Sequence, residues 1–173
     1  MSSIGPHWWP AYVGIGSNLD SPRQHVLSAF DDLAGIPDSL LVARSSLYRT
    51  APMGPQDQPH FVNAVTALLT RQSATDFLQH LQSIERLHGR DRQGEKWGPR
   101  TLDLDLLLFA SEIVADAELT LPHPGIARRN FVLLPLYEIA PHLDVPGLGN
   151  VSRLKSALPE PDSGIDKIVA ACD

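Results

Sequence analysis

Arg100-Thr-Leu-Asp-Leu-Asp-Leu-Leu-Leu-Phe109 reads as a β-strand whose two faces differ in character. Residues two apart on a strand share a face, so Asp103 and Asp105 project together while Leu102, Leu104 and Leu106 turn towards a core. Upstream, Ser73 caps a helix whose apolar residues Phe77, Leu78, Leu81, Ile84 and Leu87 recur at helical spacing, and Gly89 fits its stop. Leu40–Tyr48 and Phe61–Leu69 are rich in strand-forming residues. Before them, Ser21, Pro22 and Gln24 suit a capped helix start, with Val26, Leu27, Phe30 and Leu33 on one face. Ala11–Gly16 is a short apolar strand entering a Gly-Ser-Asn turn. The order is β-α-β-β-α-β, the ferredoxin-like α+β pattern: a mainly antiparallel sheet with both helices on one face. Beyond Phe109, a hairpin around Ile113 and Leu121 is expected, then a helix over 131–140 despite Pro135. From about residue 143 the Pro and Gly content predicts an irregular tail with at most a short helix.

The 173 residues suit one domain, taken as 11–173 behind a disordered leader of residues 1–10. With 43% apolar and 20% charged residues the chain has a globular balance. Its net charge of −6 argues against nucleic-acid partners, which are held mainly through basic excess. Cys172 is the single cysteine, so disulfide frameworks and cysteine-ligated metals are excluded. No apolar run approaches the ~18 residues that span a bilayer, and the N-terminus lacks the pattern of a signal peptide. A cytoplasmic monomer with no membrane partner is expected. Against this acidic background, residues 86–100 hold five basic side chains and two acidic ones. A basic island of +3 in an acidic chain points to a small polyanion.

Asp is disfavoured in strands, so two on one face need a reason. Paired oxygen ligands suit Mg²⁺ and can serve two ions in phosphoryl transfer; the plainer alternative is a wet, acidic strand face. The basic segment that leads into the strand favours the first. Arg90, Arg92 and Arg100 carry planar forks that match phosphate oxygens, and Trp97 can pack on a base or cover a site. Gly89-x₄-Gly94 has the glycine spacing of a P-loop but Glu95 stands at the lysine position, and Gly14-x-Gly16 lacks the third glycine of a dinucleotide fingerprint. None of the seven histidines shows a close zinc spacing; His123, between two prolines and six residues before Arg129, is a candidate phosphate contact. The 12-residue connection over 49–60, with three prolines, has the length of a binding loop.

Gly14-Ile-Gly-Ser-Asn-Leu19, Tyr48-Arg-Thr-Ala-Pro-Met-Gly-Pro-Gln-Asp-Gln-Pro59, Phe61-Val-Asn63, Trp97-Gly-Pro-Arg-Thr-Leu-Asp-Leu-Asp105 and Leu121-Pro-His-Pro124, in that order between about residues 12 and 141, resemble the 6-hydroxymethyl-7,8-dihydropterin pyrophosphokinase family of folate biosynthesis. The resemblance implies transfer of the β,γ-diphosphate of ATP to the pterin hydroxymethyl group, with release of AMP. It implies that Asp103 and Asp105 bind two Mg²⁺ ions, and that Arg90, Arg92 and Arg100 act with them on the triphosphate. Gln82, Glu85, Trp97, Leu106, Thr120, His123 and Arg129 would join Arg92 and Arg100 at the nucleotide. Thr50, Ala51, Met53, Phe61, Asn63, Asp103 and Phe131 would hold the pterin. Phe61 stands where that family often has Tyr, and Ala51 where it often has Pro. A non-catalytic RNA-binding module is the rival from another class, but it needs a basic surface and an Arg/Lys-Gly-aromatic strand motif that are absent. A two-metal phosphoesterase could use the same aspartates, and would release phosphate rather than AMP.

Overall fold

The structure, a computed structural model, describes residues 7–90, 97–159 and 164–168. The chain runs through β1 (Trp9–Ser17), α1 (Pro22–Ala34), β2 (Ser39–Arg44), β3 (Leu47–Thr50), β4 (Phe61–Thr70), α2 (Ala74–Leu87) and β5 (Asp103–Phe109). A hairpin, β6 (Val114–Ala115) and β7 (Thr120–Leu121), precedes α3 (Asn130–Ile139). A second hairpin, β8 (Asp144–Val145) and β9 (Gly149–Asn150), leads into α4 (Val151–Ser156) and β10 (Ile165–Ile168). The main sheet has the order β10-β3-β4-β1-β5, with β2 also paired to β4, and every pairing is antiparallel. This is the expected ferredoxin-like arrangement, widened to six strands.

Alternation along β1 builds both cores. Ala11, Val13 and Ile15 face α1 and α2, where they meet Val26, Phe30, Leu33, Phe77, Leu81 and Ile84. The opposite face carries Val65, Leu107 and Leu108 against Val132, Leu133 and Leu136 of α3. Each such side chain, fully buried, contributes about 1.5–3 kcal/mol. In β5 the register against β1 slips between Tyr12 and Val13, which leaves Leu107 as an extra residue. This bulge lets Leu106 join the core under α1 and α2 while Leu107 and Leu108 both join the core under α3.

Several local expectations change. The expected strand over 40–48 is two strands, because Ser45 interrupts it: its N–H donates to the Val65 carbonyl (2.8 Å) and its hydroxyl accepts from the Val65 N–H (2.9 Å). Ser73 caps α2 through its hydroxyl, as expected, but Ser21 lies in the left-handed region at φ 67° and makes no side-chain cap. Only its carbonyl receives the Gln24 and His25 N–H groups, since a capping side chain needs an extended backbone. Leu87 is 81% exposed; the stripe Phe77, Leu81, Ile84 continues at His88 instead, three to four residues on. The tail from about 143 is not irregular throughout, since β10 pairs with β3 along its whole length. Trp9 and Pro10, expected in the leader, pair with Thr70 and Leu69. Among the described residues no helix is long and apolar enough to cross a membrane.

Candidate active site

The β1–β5 register places Gly14 opposite Asp105 and Gly16 opposite Asp103, all on the face away from α1 and α2. Missing side chains at the two glycines open the sheet surface beside the two carboxylates. A Cβ on Gly16 would stand 3.0 Å from Asn63 Oδ1, tight enough to displace that amide. The Asn63 amide nitrogen donates to the Thr50 hydroxyl at 2.7 Å, which turns Oδ1 towards Gly16. This corner belongs to a cavity of about 670 Å³ with Phe61 and Phe131 in its walls. A second cavity of about 740 Å³ lies between α2, β5 and the β7 segment, lined by Gln82, Glu85, Arg90, Leu106, Thr120 and His123. Among the described residues, Asp103 and Asp105 alone line both.

The two carboxylates are unlike. Burial works against charge on Asp103, but the guanidinium groups of Arg90 and Arg100 outweigh it and hold its carboxyl below the usual carboxylate range. Arg100 reaches it at 2.9 Å, and Arg90 bridges it to Glu85, whose Oε1 also accepts the Leu104 N–H at 2.8 Å. Among the described residues no guanidinium is bonded to Asp105; burial, and then the charge of Asp103, push its carboxyl up to about 7, tempered by the 36% of its side chain that stays open to water. A half-buried carboxylate beside another carboxylate is a place for a cation. His123 faces Asp105 at 4.0 Å, and its Nδ1 accepts the Gly125 N–H at 3.0 Å, which leaves the proton on Nε2. Burial, and then Arg129, lower its pKa, so it is a neutral donor at pH 7.

Asn18 ties the cavity rim together. It is 1% exposed; its amide nitrogen donates to Gln58 Oε1 (3.0 Å) and the Pro59 carbonyl (2.9 Å), and its Oδ1 accepts the Arg100 N–H (2.8 Å). Gln58 in turn donates to the Trp97 carbonyl at 2.9 Å. One side chain thus joins the end of β1, the 51–60 loop and the 97–100 segment. Asn18→Ala leaves buried partners unsatisfied and is expected to cost roughly 2–3 kcal/mol in urea unfolding. Unchanged stability would mean that the clamp is held by other contacts.

Every residue expected at the pterin, namely Thr50, Ala51, Met53, Phe61, Asn63, Asp103 and Phe131, lines the first cavity. Trp97, Arg100 and Arg129, expected at the nucleotide, also line the first cavity rather than the second. Arg129 lies over the rings of both Trp97 (5.3 Å) and Phe131 (5.9 Å), which draws it to that side. Arg92 lies outside the described residues. The glycine pair Gly14 and Gly16, and Gly54 against Trp97, were not anticipated as site residues. The available signal was two glycines two apart within a strand, which marks a close approach on one face.

The sequence profile of the 7,8-dihydro-6-hydroxymethylpterin-pyrophosphokinase family matches residues 12–141. A 2-amino-4-hydroxy-6-hydroxymethyldihydropteridine pyrophosphokinase of Pseudomonas aeruginosa is 44% identical over 160 residues, covering 92% of this chain and 97% of that one. Its namesake from Haemophilus influenzae is 42% identical over 144 residues, covering 83% and 89%. Among solved structures, wild-type Plasmodium falciparum HPPK-DHPS with pterin and p-hydroxybenzoate superposes with a TM-score of 0.68 over 89% of this chain. That likeness, at 14% identity and spanning 44% of the other chain, shows the fold alone. The match of profile and near full-length relatives leaves one assignment: this chain belongs to the 7,8-dihydro-6-hydroxymethylpterin-pyrophosphokinase family.

Proposed function

We propose that the two cavities hold the two substrates of a diphosphate transfer from ATP to 6-hydroxymethyl-7,8-dihydropterin, with the Asp103–Asp105 pair at their junction. The observation that carries this reading is the sharing of those two carboxylates, and no other described residue, by both cavities. The pterin hydroxymethyl oxygen forms a bond to the β-phosphorus, the bond from that phosphorus to the α–β bridging oxygen breaks, and AMP leaves with the bridging oxygen. The hydroxyl proton is lost in the same exchange.

A pterin is flat with a rim of amide-like donors and acceptors. Phe61 and Phe131 offer aromatic faces for it, and Asn63, fixed by Thr50, presents its Oδ1 as an acceptor. The triphosphate belongs to the second cavity, where His123 donates through Nε2 and Arg90 supplies charge; Arg100 and Arg129 reach the junction from the first. Arg92 is assigned to the same charge set by its place in the sequence. Catalysis in such a transfer is chiefly positioning and charge neutralisation.

Asp103 and Asp105 would hold the two Mg²⁺ ions. The donor set fits: hard oxygen ligands side by side, one of them disfavoured as a carboxylate until a cation is near. Among the described residues no group of three His, Cys, Asp or Glu lies together, so this pair alone would hold the ions on the protein's side. When bound, Mg²⁺ neutralises phosphate oxygens as charge shifts to the leaving group. Purified protein with ATP, Mg²⁺ and the pterin is expected to form AMP in step with pterin diphosphate, read by nucleotide chromatography. Formation of ADP, or of AMP without pterin, would overturn the assignment.

A further inference from the structure

The far end of α3 carries a carboxylate that lines neither of the two cavities. Glu138 accepts the Ser46 N–H through both oxygens (3.2 Å each) and the Ser46 hydroxyl through Oε1 (2.7 Å). Its Oε2 accepts the Tyr48 hydroxyl at 2.7 Å, and Lys167 of β10 lies 3.4 Å from Oε1. Burial works against charge on Glu138, but the bonds from Tyr48 and Ser46, and then Lys167, outweigh it and hold its carboxyl below the usual range. Burial, and then the same carboxylate, raise the Tyr48 phenol well above its ordinary range, so it stays a donor. Tyr48 and Glu138 are 90 residues apart in sequence, so no spacing rule finds the pair.

We infer that Glu138 is a positioning residue for the pterin: it pins the helix that supplies one wall of the first cavity to the strand that supplies the other. Phe131 stands seven residues before Glu138, about two turns back on the same helical face. Tyr48 stands two residues before Thr50, on the same strand face, and directly opposite Asn63 of β4. Phe61 and Asn63 share that face in turn, and the Thr50 hydroxyl accepts the Asn63 amide. The link from Glu138 to Tyr48 therefore ties the helix of Phe131 to the two strands that carry Thr50, Phe61 and Asn63. Hydrogen bonds to an ionised acceptor are about twice as strong as neutral ones, and the Ser46 N–H, the Ser46 hydroxyl and the Tyr48 hydroxyl converge on this carboxylate. A flat ring between Phe61 and Phe131 needs their separation fixed, and a misplacement of about 1 Å in a positioning group costs on the order of a hundredfold. This role rests on the placement of the pterin in the first cavity.

The test is steady-state kinetics, each substrate varied in turn, on the wild-type chain and on Glu138→Ala, Glu138→Gln and Tyr48→Phe. Glu138→Ala is expected to raise the KM for pterin about tenfold, with the KM for ATP and the kcat at saturating pterin each within about threefold of wild type. Glu138→Gln keeps an oxygen for one donor but turns an amide N–H towards another, so its pterin KM falls between the two. Tyr48→Phe keeps the ring, loses only the O–H and raises the pterin KM a few-fold; in the Glu138→Ala background it adds less than it does alone, because both changes break one link. A role confined to stability would lower Tm and leave the pterin KM where it was. Should Glu138→Ala fail to fold, Glu138→Gln and Tyr48→Phe carry the test. A pterin KM unmoved in the Glu138 and Tyr48 variants would overturn the proposal, as would an equal rise for ATP. Asn63→Ala distinguishes this role from the cavity assignment: a rise in its pterin KM with none in the other variants overturns the role of Glu138 alone, and no rise in any of them overturns the placement of the pterin as well.

Discussion

Asp103→Asn and Asp105→Asn each abolish most turnover, by roughly a hundred- to ten-thousand-fold, while their effects on stability have opposite signs. The loss follows from the several kcal/mol of charge stabilisation that a held cation contributes in phosphoryl transfer, each 1.4 kcal/mol being about tenfold. The stability contrast follows from their surroundings. Asp103 is a carboxylate held charged by Arg90 and Arg100, so its contribution is present above the unfolded carboxylate pKa and is lost as pH falls below it. Its replacement removes a charged partner from each of the two arginines and lowers Tm at pH 8. Asp105 is the reverse: between the ordinary carboxylate range and about 7 the folded chain keeps a proton that the unfolded chain releases. Stability therefore falls as pH rises through that window. Asn at that position escapes the penalty, so Asp105→Asn should melt above wild type at pH 8 without divalent cations, with the gap closing towards pH 4. Calorimetric scans at the two pH values check this; two variants that melt together would remove the distinction between the carboxylates, and near-normal turnover in either would remove its role in transfer.

Gly54→Ala raises the KM for pterin by roughly ten- to a hundredfold and leaves the KM for ATP within a few-fold. A Cβ at position 54 would fall 2.5 Å from Trp97 Cβ and 2.9 Å from the Trp97 carbonyl oxygen. Neither atom is the far end of a flexible side chain, so the 51–60 loop and the 97–100 segment must part. That separation breaks the Gln58–Trp97 bond and opens the rim of the first cavity, where Met53, Gly54 and Trp97 all stand. The second cavity contains none of these residues. Overpacking of this kind also costs roughly 1–3 kcal/mol of stability. Steady-state kinetics with each substrate varied in turn decide the matter. An unchanged pterin KM would mean that the two segments separate freely, and a matching rise for ATP would place the damage elsewhere.

The parts of this protein that sequence makes plain are those encoded within one element. Asp103 and Asp105 share a face because a strand alternates, and Ser73 caps α2 because the acceptor and the N–H of Asp76 are three residues apart. What stays hidden depends on a second element. Trp97 and Arg129 meet over the first cavity although 32 residues separate them, and nothing in either segment encodes the other. The short strand Ile165–Ile168 carries too few apolar residues to announce itself and exists through its pairing with β3. Gly14 and Gly16 look like the approach to a turn until β5 is laid beside them. Leu87 and His88 exchange places because residues three and four on from Ile84 are both its helical neighbours, and the buried face of α2 takes the one four on.

The extra residue at Leu107 makes the chain tolerant of a shorter strand at one point. Loss of one codon from the Leu106–Leu108 run would leave composition and hydrophobicity almost unchanged. With Phe109 anchored opposite Ala11, a strand one residue shorter would close into a regular ladder: Asp103 and Asp105 would keep their places opposite Gly16 and Gly14, and the core under α3 would lose one of its two adjacent leucines. A deletion in this run and a large-to-small replacement therefore strike the same thing, the packing under α3, and both leave the two carboxylates on the face of the cavities.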